Sequence, residues 1–273
     1  MRALVWTLVV SLLSIAASAQ ASKGPSSNIR IRRLTIESTT LPDADRQQIV
    51  GQLQGKTYPA DATLAHFSSE MGERVRGWLQ VLGYFKASVD EPRAALVSEQ
   101  RNLRVVDLTV AVDEGWHYYL GEIRFKNGTL FPAEEMRSAI PIQAGELFNV
   151  EKMREGIRNL RNLYHGRGYV NFTPVPDTET DDSRHIVDVN FHLDEGRQFM
   201  FGPLVLDGPE PHVGAGRALL ESWKSLRGEP YNPDLLQQWL AENRLDLPVN
   251  AERHIETSQD NTLGIIIVRL WFP

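Results

Sequence analysis

The sequence predicts an α+β protein made of three tandem β-α-α-β-β domains, each a three-stranded sheet with two helices on one face. Segments in which apolar and polar residues alternate predict the strands, and apolar residues spaced by three or four predict the helices. The order of these segments recurs along the chain: Gly83 and Gly168 are 85 residues apart, and Gly115 and Gly196 are 81 apart. A chain of 273 residues would otherwise favour about two domains, so the prediction of three depends on this repetition.

The first residues predict export from the cytoplasm. Arg2 is followed by an apolar run over residues 3–17, and a small-x-small cleavage site ends at Ala19. We expect a secretory signal peptide over residues 1–19 that is removed after Ala19. A retained membrane anchor is the alternative, and it is disfavoured because the run is shorter than the ~20 residues that span hydrocarbon. Residues 20–28 are small and polar and predict a flexible leader.

Composition excludes several classes of function. Removal of the signal peptide leaves 28 basic and 35 acidic residues, a net charge of −7, which disfavours nucleic-acid binding. The chain has no cysteine, so disulfides, thiolate metal sites and cysteine nucleophiles are excluded. Its seven histidines show no paired metal-ligand spacing, and neither a nucleophile elbow nor a phosphate-binding loop is recognisable. We therefore predict a protein that is not an enzyme, with no catalytic residue, metal site, cofactor or small-molecule substrate.

The first predicted domain covers residues 29–116. Alternating apolar residues predict its strands at residues 29–36, 84–89 and 106–112. Two helices are predicted between the first and second strands, over residues 43–54 and 64–82. Gly83 follows the longer helix, where only glycine enters the left-handed conformation without steric cost. The polar residues 90–102 are predicted to be a loop.

The second and third predicted domains cover residues 117–197 and 198–273. In the second, strands are predicted at residues 121–125, 169–175 and 187–193, and helices at residues 132–140 and 150–164. In the third, residues 228–232 match residues 145–149 at an offset of 83. The third copy then diverges, because no Gly-Tyr pair follows its second helix, which is predicted to be shorter. Its strands are predicted at residues 202–206, near His254, and at residues 263–272.

Two motifs in the second domain carry a resemblance to a known family. Its second helix ends in LYHGRGYVNF, residues 163–172, and its last strand ends in HLDEG, residues 192–196. A β-α-α-β-β unit with these motifs resembles the POTRA (polypeptide-transport-associated) domain, and the resemblance extends over nearly all of the chain after the signal peptide. It implies a periplasmic array, associated with the outer membrane, that acts in outer-membrane protein assembly or two-partner secretion. Since no series of lipid-facing strands precedes Pro273, we expect these domains without the membrane barrel of the usual family member.

The resemblance implies unfolded outer-membrane or exported polypeptides as partners, and it leaves open a separate outer-membrane barrel protein as a second partner. The mechanism that fits is β-augmentation, in which an extended client segment pairs with an open sheet edge. By resemblance, the open edge is the strand after the second helix of each domain. The candidate binding residues are Tyr84, Phe85, Lys86, Ala87, Ser88, Val89, Tyr169, Val170, Asn171, Phe172 and Thr173. The alternative for their aromatic side chains is that they simply pack the cores.

Two other functions remain in competition with client binding. One is an envelope scaffold, for example in cell division, that binds one fixed partner through the same edge. The other is an envelope hydrolase, for which the adjacent acids at residues 113–114 and 194–195 would be candidates. Both acid pairs fall at the same place in the repeat, so a strand-end turn explains them better.

Overall fold

A computed structural model of the chain describes residues 27–60, 63–100, 102–209 and 213–272. The predicted signal peptide, residues 1–19, and most of the predicted leader lie outside the described residues. Among the helices that are described, none has the length and apolar character needed to cross a membrane.

By the density of its contacts the chain forms two compact units. The first comprises the residues up to Ile123 together with Pro141–Arg154 and Asp177–Val189. The second comprises Arg124–Ile140, Glu155–Pro176 and the residues from Asn190 onward. The domain limits expected from the sequence are not tested by this division and stay predictions. We call residues 29–116, 117–197 and 198–273 the first, middle and third repeats.

The first repeat contains a five-stranded sheet with two helices. Its elements are β1 (Ser27–Glu37), α1 (Asp43–Leu53), β2 (Thr57–Ala60), α2 (Leu64–Val81), β3 (Ser88–Val89), β4 (Arg93–Gln100) and β5 (Leu103–Asp113). The strand order is β2-β1-β5-β3, with β4 also paired to β5, and only the β1–β5 pair is parallel. The core lies where α1 and α2 cover this sheet, and its fully buried side chains include Ile29, Ile49, Met71, Val75 and Leu79.

Three expectations for the first repeat need correction. The strand begins at Ser27, inside the predicted leader, and the short strand β2 was not predicted. The predicted loop at residues 90–102 is wrong, because most of it is the strand β4. Ala94 is the only partly buried residue of β4, and the other residues are exposed, so the alternation that marks a half-buried strand is missing from its sequence.

The middle repeat follows the predicted order of elements. They are β6 (Tyr119–Lys126), α3 (Ala133–Ser138), α4 (Val150–His165), β7 (Thr173–Asp181) and β8 (Ile186–Asp194). The three strands form one sheet in the order β6-β8-β7. Gly168, like Gly83, adopts the left-handed conformation after the second helix, with φ of +85°.

The third repeat keeps the same order of elements with a shorter second helix. Its elements are β9 (Met200–Asp207), α5 (Ala215–Trp223), α6 (Pro233–Glu242), a 3-10 turn (Ala251–Arg253), β10 (Ile255–Asp260) and β11 (Ile265–Trp271). The sheet order is β10-β11-β9, with β9 and β11 parallel. Trp223 and Trp239 meet edge to face at 4.9 Å in its core. The α+β fold of three tandem repeats is therefore confirmed, as is the short second helix, since α6 has 10 residues and α2 has 18.

Candidate polypeptide-binding edges

In each sheet the strand that follows the second helix lies at a border. β3 and β4 pair only with β5, β7 pairs only with β8, and β10 pairs only with β11 among the described strands. An edge strand leaves alternate main-chain N–H and C=O groups without a ladder partner. The resemblance predicts a polypeptide-binding edge at this strand, and the binding edge stays a prediction.

The predicted strand at residues 84–89 begins four residues later than expected. After α2 the chain makes a turn, in which the Tyr84 amide donates to the Leu79 carbonyl at 3.0 Å and the Ala87 amide donates to the Tyr84 carbonyl at 3.1 Å. Gly83 permits this turn with φ of +92°. Only Ser88 and Val89 form a strand, the two-residue β3.

The predicted strand at residues 169–175 also begins late, at Thr173. The Tyr169 amide donates to the Tyr164 carbonyl, and the Phe172 amide donates to the Tyr169 carbonyl, both at 3.1 Å. Val170 and Asn171 lie inside this turn. The sequence predicted a strand here because the turn buries some of its side chains, and buried aromatic residues at short spacing give the same pattern as a half-buried strand.

The aromatic side chains of these turns pack inward. Tyr84 is 4% exposed, and its hydroxyl donates to the Asp45 carboxylate at 2.7 Å. Burial raises the pKa of the Tyr84 phenol, and the hydrogen bond to Asp45 raises it further. Phe172 is 3% exposed and stacks on Tyr164 with ring centroids 3.6 Å apart. Core packing, the alternative stated from the sequence, accounts for both side chains.

Phe85 and Lys86 contact the chain on the C-terminal side of the first repeat. The Phe85 ring meets Phe148 edge to face at 4.9 Å. Lys86 forms an ion pair with Asp182, which also accepts a hydrogen bond from the Tyr118 hydroxyl at 2.8 Å. These contacts leave Ser88, Val89 and Thr173 as the candidate residues that belong to edge strands.

The turn at Gly83 serves as a main-chain docking point. The Gly83 carbonyl accepts a hydrogen bond from the Tyr118 amide at 2.9 Å, and the Tyr118 carbonyl accepts one from the Phe148 amide at 2.8 Å. Phe148 belongs to residues 145–149, with the sequence GELFN. This is the segment that recurs at residues 228–232, and no reason for its recurrence was apparent from the sequence alone.

The same docking point recurs in the second compact unit. The Gly168 carbonyl accepts from the Phe199 amide, and the Phe199 carbonyl accepts from the Tyr231 amide, both at 2.8 Å. Tyr231 belongs to GEPYN, the counterpart of GELFN. In both segments the amide of the aromatic residue therefore donates the second of the two main-chain hydrogen bonds at this docking point. We call this pair of hydrogen bonds the junction. Nothing in the sequence indicated this role.

The strand-end glutamate of the middle repeat holds a loop. Glu195 accepts hydrogen bonds from the amides of Thr129 and Leu130 at 2.8 and 3.0 Å, and from the Tyr164 hydroxyl at 2.9 Å. Burial by itself raises the pKa of Glu195, but these hydrogen bonds and one from the Thr129 hydroxyl outweigh it and lower the pKa to about 2. The carboxylate stays ionised and acts as a structural acceptor, in agreement with the turn interpretation of the acid pair.

The part of the chain that the structure describes contains no group of three or more His, Asp or Glu side chains able to hold a metal ion.

Comparisons with known proteins agree with this architecture. The sequence model of the POTRA family, described as a surface antigen variable number repeat, matches residues 118–196. Outer membrane protein assembly factor BamA of Buchnera aphidicola subsp. Acyrthosiphon pisum (strain APS) is 24% identical over 166 residues, which cover 60% of this chain and 26% of that protein. The matched part of this chain thus spans about a quarter of the length of that relative.

A solved structure extends the likeness to the other repeats. The crystal structure of POTRA domains 3–5 of BamA from Haemophilus influenzae has a TM-score of 0.62 with this chain at 17% identity, and the match covers 92% of this chain and 100% of that one. At this identity the likeness concerns the fold. Residues 118–196 therefore match the POTRA family in sequence, and the chain shares the fold of a tandem array of POTRA domains.

Proposed function

We propose that this chain is a periplasmic polypeptide-binding module, associated with the outer membrane, that acts in outer-membrane protein assembly or export. The observation that carries the proposal is the recurrent position of the strand after the second helix, which borders its sheet in every repeat. The BamA relative is named as an outer membrane protein assembly factor, which supports the same process for this chain.

The binding mode in this proposal is β-augmentation by an extended client segment. Main-chain hydrogen bonds to a sheet edge depend little on the client's side chains, so one edge can serve many unfolded polypeptides. Outer-membrane strands alternate apolar and polar residues over about ten positions and suit such pairing. Each added main-chain hydrogen bond contributes about 1 kcal/mol net, so a segment several residues long gives moderate and reversible affinity.

A scaffold for one fixed partner is the second candidate function. Trp116 is 69% exposed and stacks on His185 with ring centroids 5.1 Å apart. Exposed tryptophan is enriched among the residues that dominate protein–protein binding energy. This surface could receive a folded partner without any use of a sheet edge. We propose no enzymatic role, because the strand-end carboxylate of Glu195 already has hydrogen-bond donors within the fold.

The test compares an unfolded and a folded client. Residues 20–273 are mixed with a fluorescently labelled outer-membrane polypeptide, diluted either from urea or as its folded form in detergent, and binding is followed by anisotropy. We expect saturable binding of the unfolded form and at least tenfold weaker binding of the folded form, since only the former offers unpaired strands. Absence of binding to the unfolded form, together with stoichiometric co-purification of one folded envelope protein that is lost on Trp116→Ala, would establish the scaffold instead.

A proline at position 170 is unsuitable as a probe of the edge. Val170 lies in the turn before β7, so its amide is not an edge donor. A probe of β-augmentation has to be placed inside a border strand.

A further inference from the structure

We propose that the client strand pairs with β10 of the third repeat, and that the equivalent edges of the first and middle repeats are closed to it. This inference rests on the proposed function and specifies which of the three borders performs it. The three equivalent strands differ in their continuity and in their main-chain donors.

The border of the first repeat is interrupted twice. β3 ends at Val89, which pairs with Val112, and β4 resumes only at Arg93, which pairs with Thr109. A second shift of register follows within β4 at Val97, which has no partner of its own in β5. Bulges increase the local twist and are one means by which proteins prevent edge-to-edge pairing. A straight visiting strand therefore meets only short matching stretches on this border.

The first half of the border strand in the middle repeat lacks two amide donors. β7 contains Pro174 and Pro176, which are both buried and occupy alternate positions. Alternate residues of a strand direct their main-chain groups to the same side, and proline is tolerated in a sheet where the missing N–H faces away from the ladder. Two successive outward positions of β7 thus offer no N–H to a visiting strand.

The border of the third repeat is continuous. All six residues of β10 pair with β11 without a shift of register, from Ile255 opposite Leu270 to Asp260 opposite Ile265. The strand, with the sequence IETSQD, contains no proline. It is therefore the one member of the three that keeps both an unbroken register and a full set of amides.

A single hydrogen bond shows which groups of β10 face outward. The Trp271 amide donates to the His254 carbonyl at 2.9 Å, just before the paired stretch. Antiparallel pairs alternate between exchanging and not exchanging hydrogen bonds, so the residues that bond to β11 are Glu256, Ser258 and Asp260. The main-chain groups of the intervening residues, Ile255, Thr257 and Gln259, point away from β11.

The side chains around this border indicate the kind of client. Thr257, Ser258 and Gln259 are exposed and uncharged, and they place no bulky group over the open groups. Glu256 and Asp260 are the only charged residues of β10. We expect an extended segment without net negative charge, since a like charge opposite either acid would weaken the pairing.

The first experiment removes one outward amide. Thr257→Pro deletes an N–H that points away from β11, whereas Thr257→Ala keeps it and serves as the matched control. Binding of the urea-unfolded outer-membrane polypeptide is expected to weaken about tenfold in Thr257→Pro, as for the loss of one or two main-chain hydrogen bonds, and to stay unchanged in Thr257→Ala. Circular dichroism and denaturant unfolding are the checks that both variants are folded before binding is compared.

The second experiment uses the unaltered chain and is independent of any variant. Amide hydrogen exchange resolved to single residues is recorded with and without the client. We expect protection factors at Ile255, Thr257 and Gln259 to rise at least tenfold, with no comparable rise over β4 or β7.

The outcomes separate the two proposals. If the unaltered chain binds no unfolded client, the proposed function fails, and this inference fails with it. If it binds the client while Thr257→Pro binds equally well, or while protection appears on β4 or β7 instead of β10, only the choice of border is overturned.

Discussion

The glycines that follow the second helices of the first and middle repeats occupy the same place in the repeat but differ in how well they would tolerate a side chain. Gly83 and Gly168 have similar left-handed conformations, with φ of +92° and +85°, and both carbonyls accept an amide hydrogen bond. A side chain added at Gly83 would meet the side chain of Leu147, whose nearest atom would be 2.5 Å away. One added at Gly168 would meet the main-chain carbonyl of Phe199 and, at 3.2 Å, the amide of Tyr231.

The strand-end glutamates of the two repeats also differ in whether they contact main-chain or side-chain atoms. In the middle repeat the amides of Thr129 and Leu130 donate directly to Glu195. In the first repeat the amides of Thr40 and Leu41 donate to the Ser38 hydroxyl, which in turn donates to Glu114 at 2.8 Å. In the middle repeat a side chain added at the glycine would thus meet main-chain atoms, and the glutamate accepts from main-chain amides. In the first repeat the corresponding contacts are with side chains, which can move or be replaced.

Gly168→Ala is expected to have the largest effect on stability. The left-handed conformation strains any L-residue, and the new Cβ would overlap main-chain atoms that cannot move without breaking the junction. The sum of strain and overpacking is about 3 kcal/mol of unfolding free energy. Denaturant unfolding of residues 20–273 measures the loss. Gly196→Ala is the matched control, because it shares the positive φ and has only ordinary contacts, the nearest at 3.6 Å. Equal losses in the two variants would refute the role of the backbone contact.

Glu195→Gln should have the next largest effect, and it depends on pH. The pKa of Glu195 in the folded chain is about 2, below its ordinary value of 4.5, so the ionised carboxylate contributes stability above pH 4.5. That contribution is lost as the pH falls from about 4.5 towards 2, because the folded state then also takes up the proton. At pH 7 the variant should lose on the order of 2 kcal/mol of unfolding free energy, as is usual for hydrogen bonds to a charged group.

The measurement for Glu195 is denaturant unfolding at several pH values. The free-energy difference between Glu195→Gln and the unaltered chain should shrink steadily below pH 4.5. Asp194→Asn, at the exposed neighbouring acid, is the control and should change the unfolding free energy by less than about 0.5 kcal/mol. A difference for Glu195→Gln that stays constant down to pH 2 would show that the carboxylate charge is not responsible.

The sequence predicted the repeats because their glycines and alternating strands occur at constant spacing. The prediction of strands from the sequence was wrong where main-chain pairing is not accompanied by an alternation of apolar and polar side chains. β4 is exposed on both faces and carries no alternation, whereas residues 169–172 carry aromatic residues that imitate a strand while they form a turn. The limits of the candidate edge strands were mispredicted for the same reason, since an edge is defined by unpaired main-chain groups. In the three border strands, only the prolines of β7 mark that property in the sequence.

Gly83→Ala is expected to have the smallest of the three effects, because the atoms that a new Cβ would meet belong to the half-exposed side chain of Leu147. That side chain can rotate away at a small cost, so most of the loss is the conformational strain, about 1 kcal/mol, and a minor part is the displacement of Leu147. Leu147→Ala in the Gly83→Ala background removes the overlap and leaves the strain, so a double-mutant cycle should show a favourable coupling between the two substitutions. The corresponding cycle with Tyr231→Ala in the Gly168→Ala background should show no such relief, because the obstructing Phe199 carbonyl and Tyr231 amide remain whatever side chain is present. Relief in both cycles would mean that the two junctions do not differ in the way the contacts indicate.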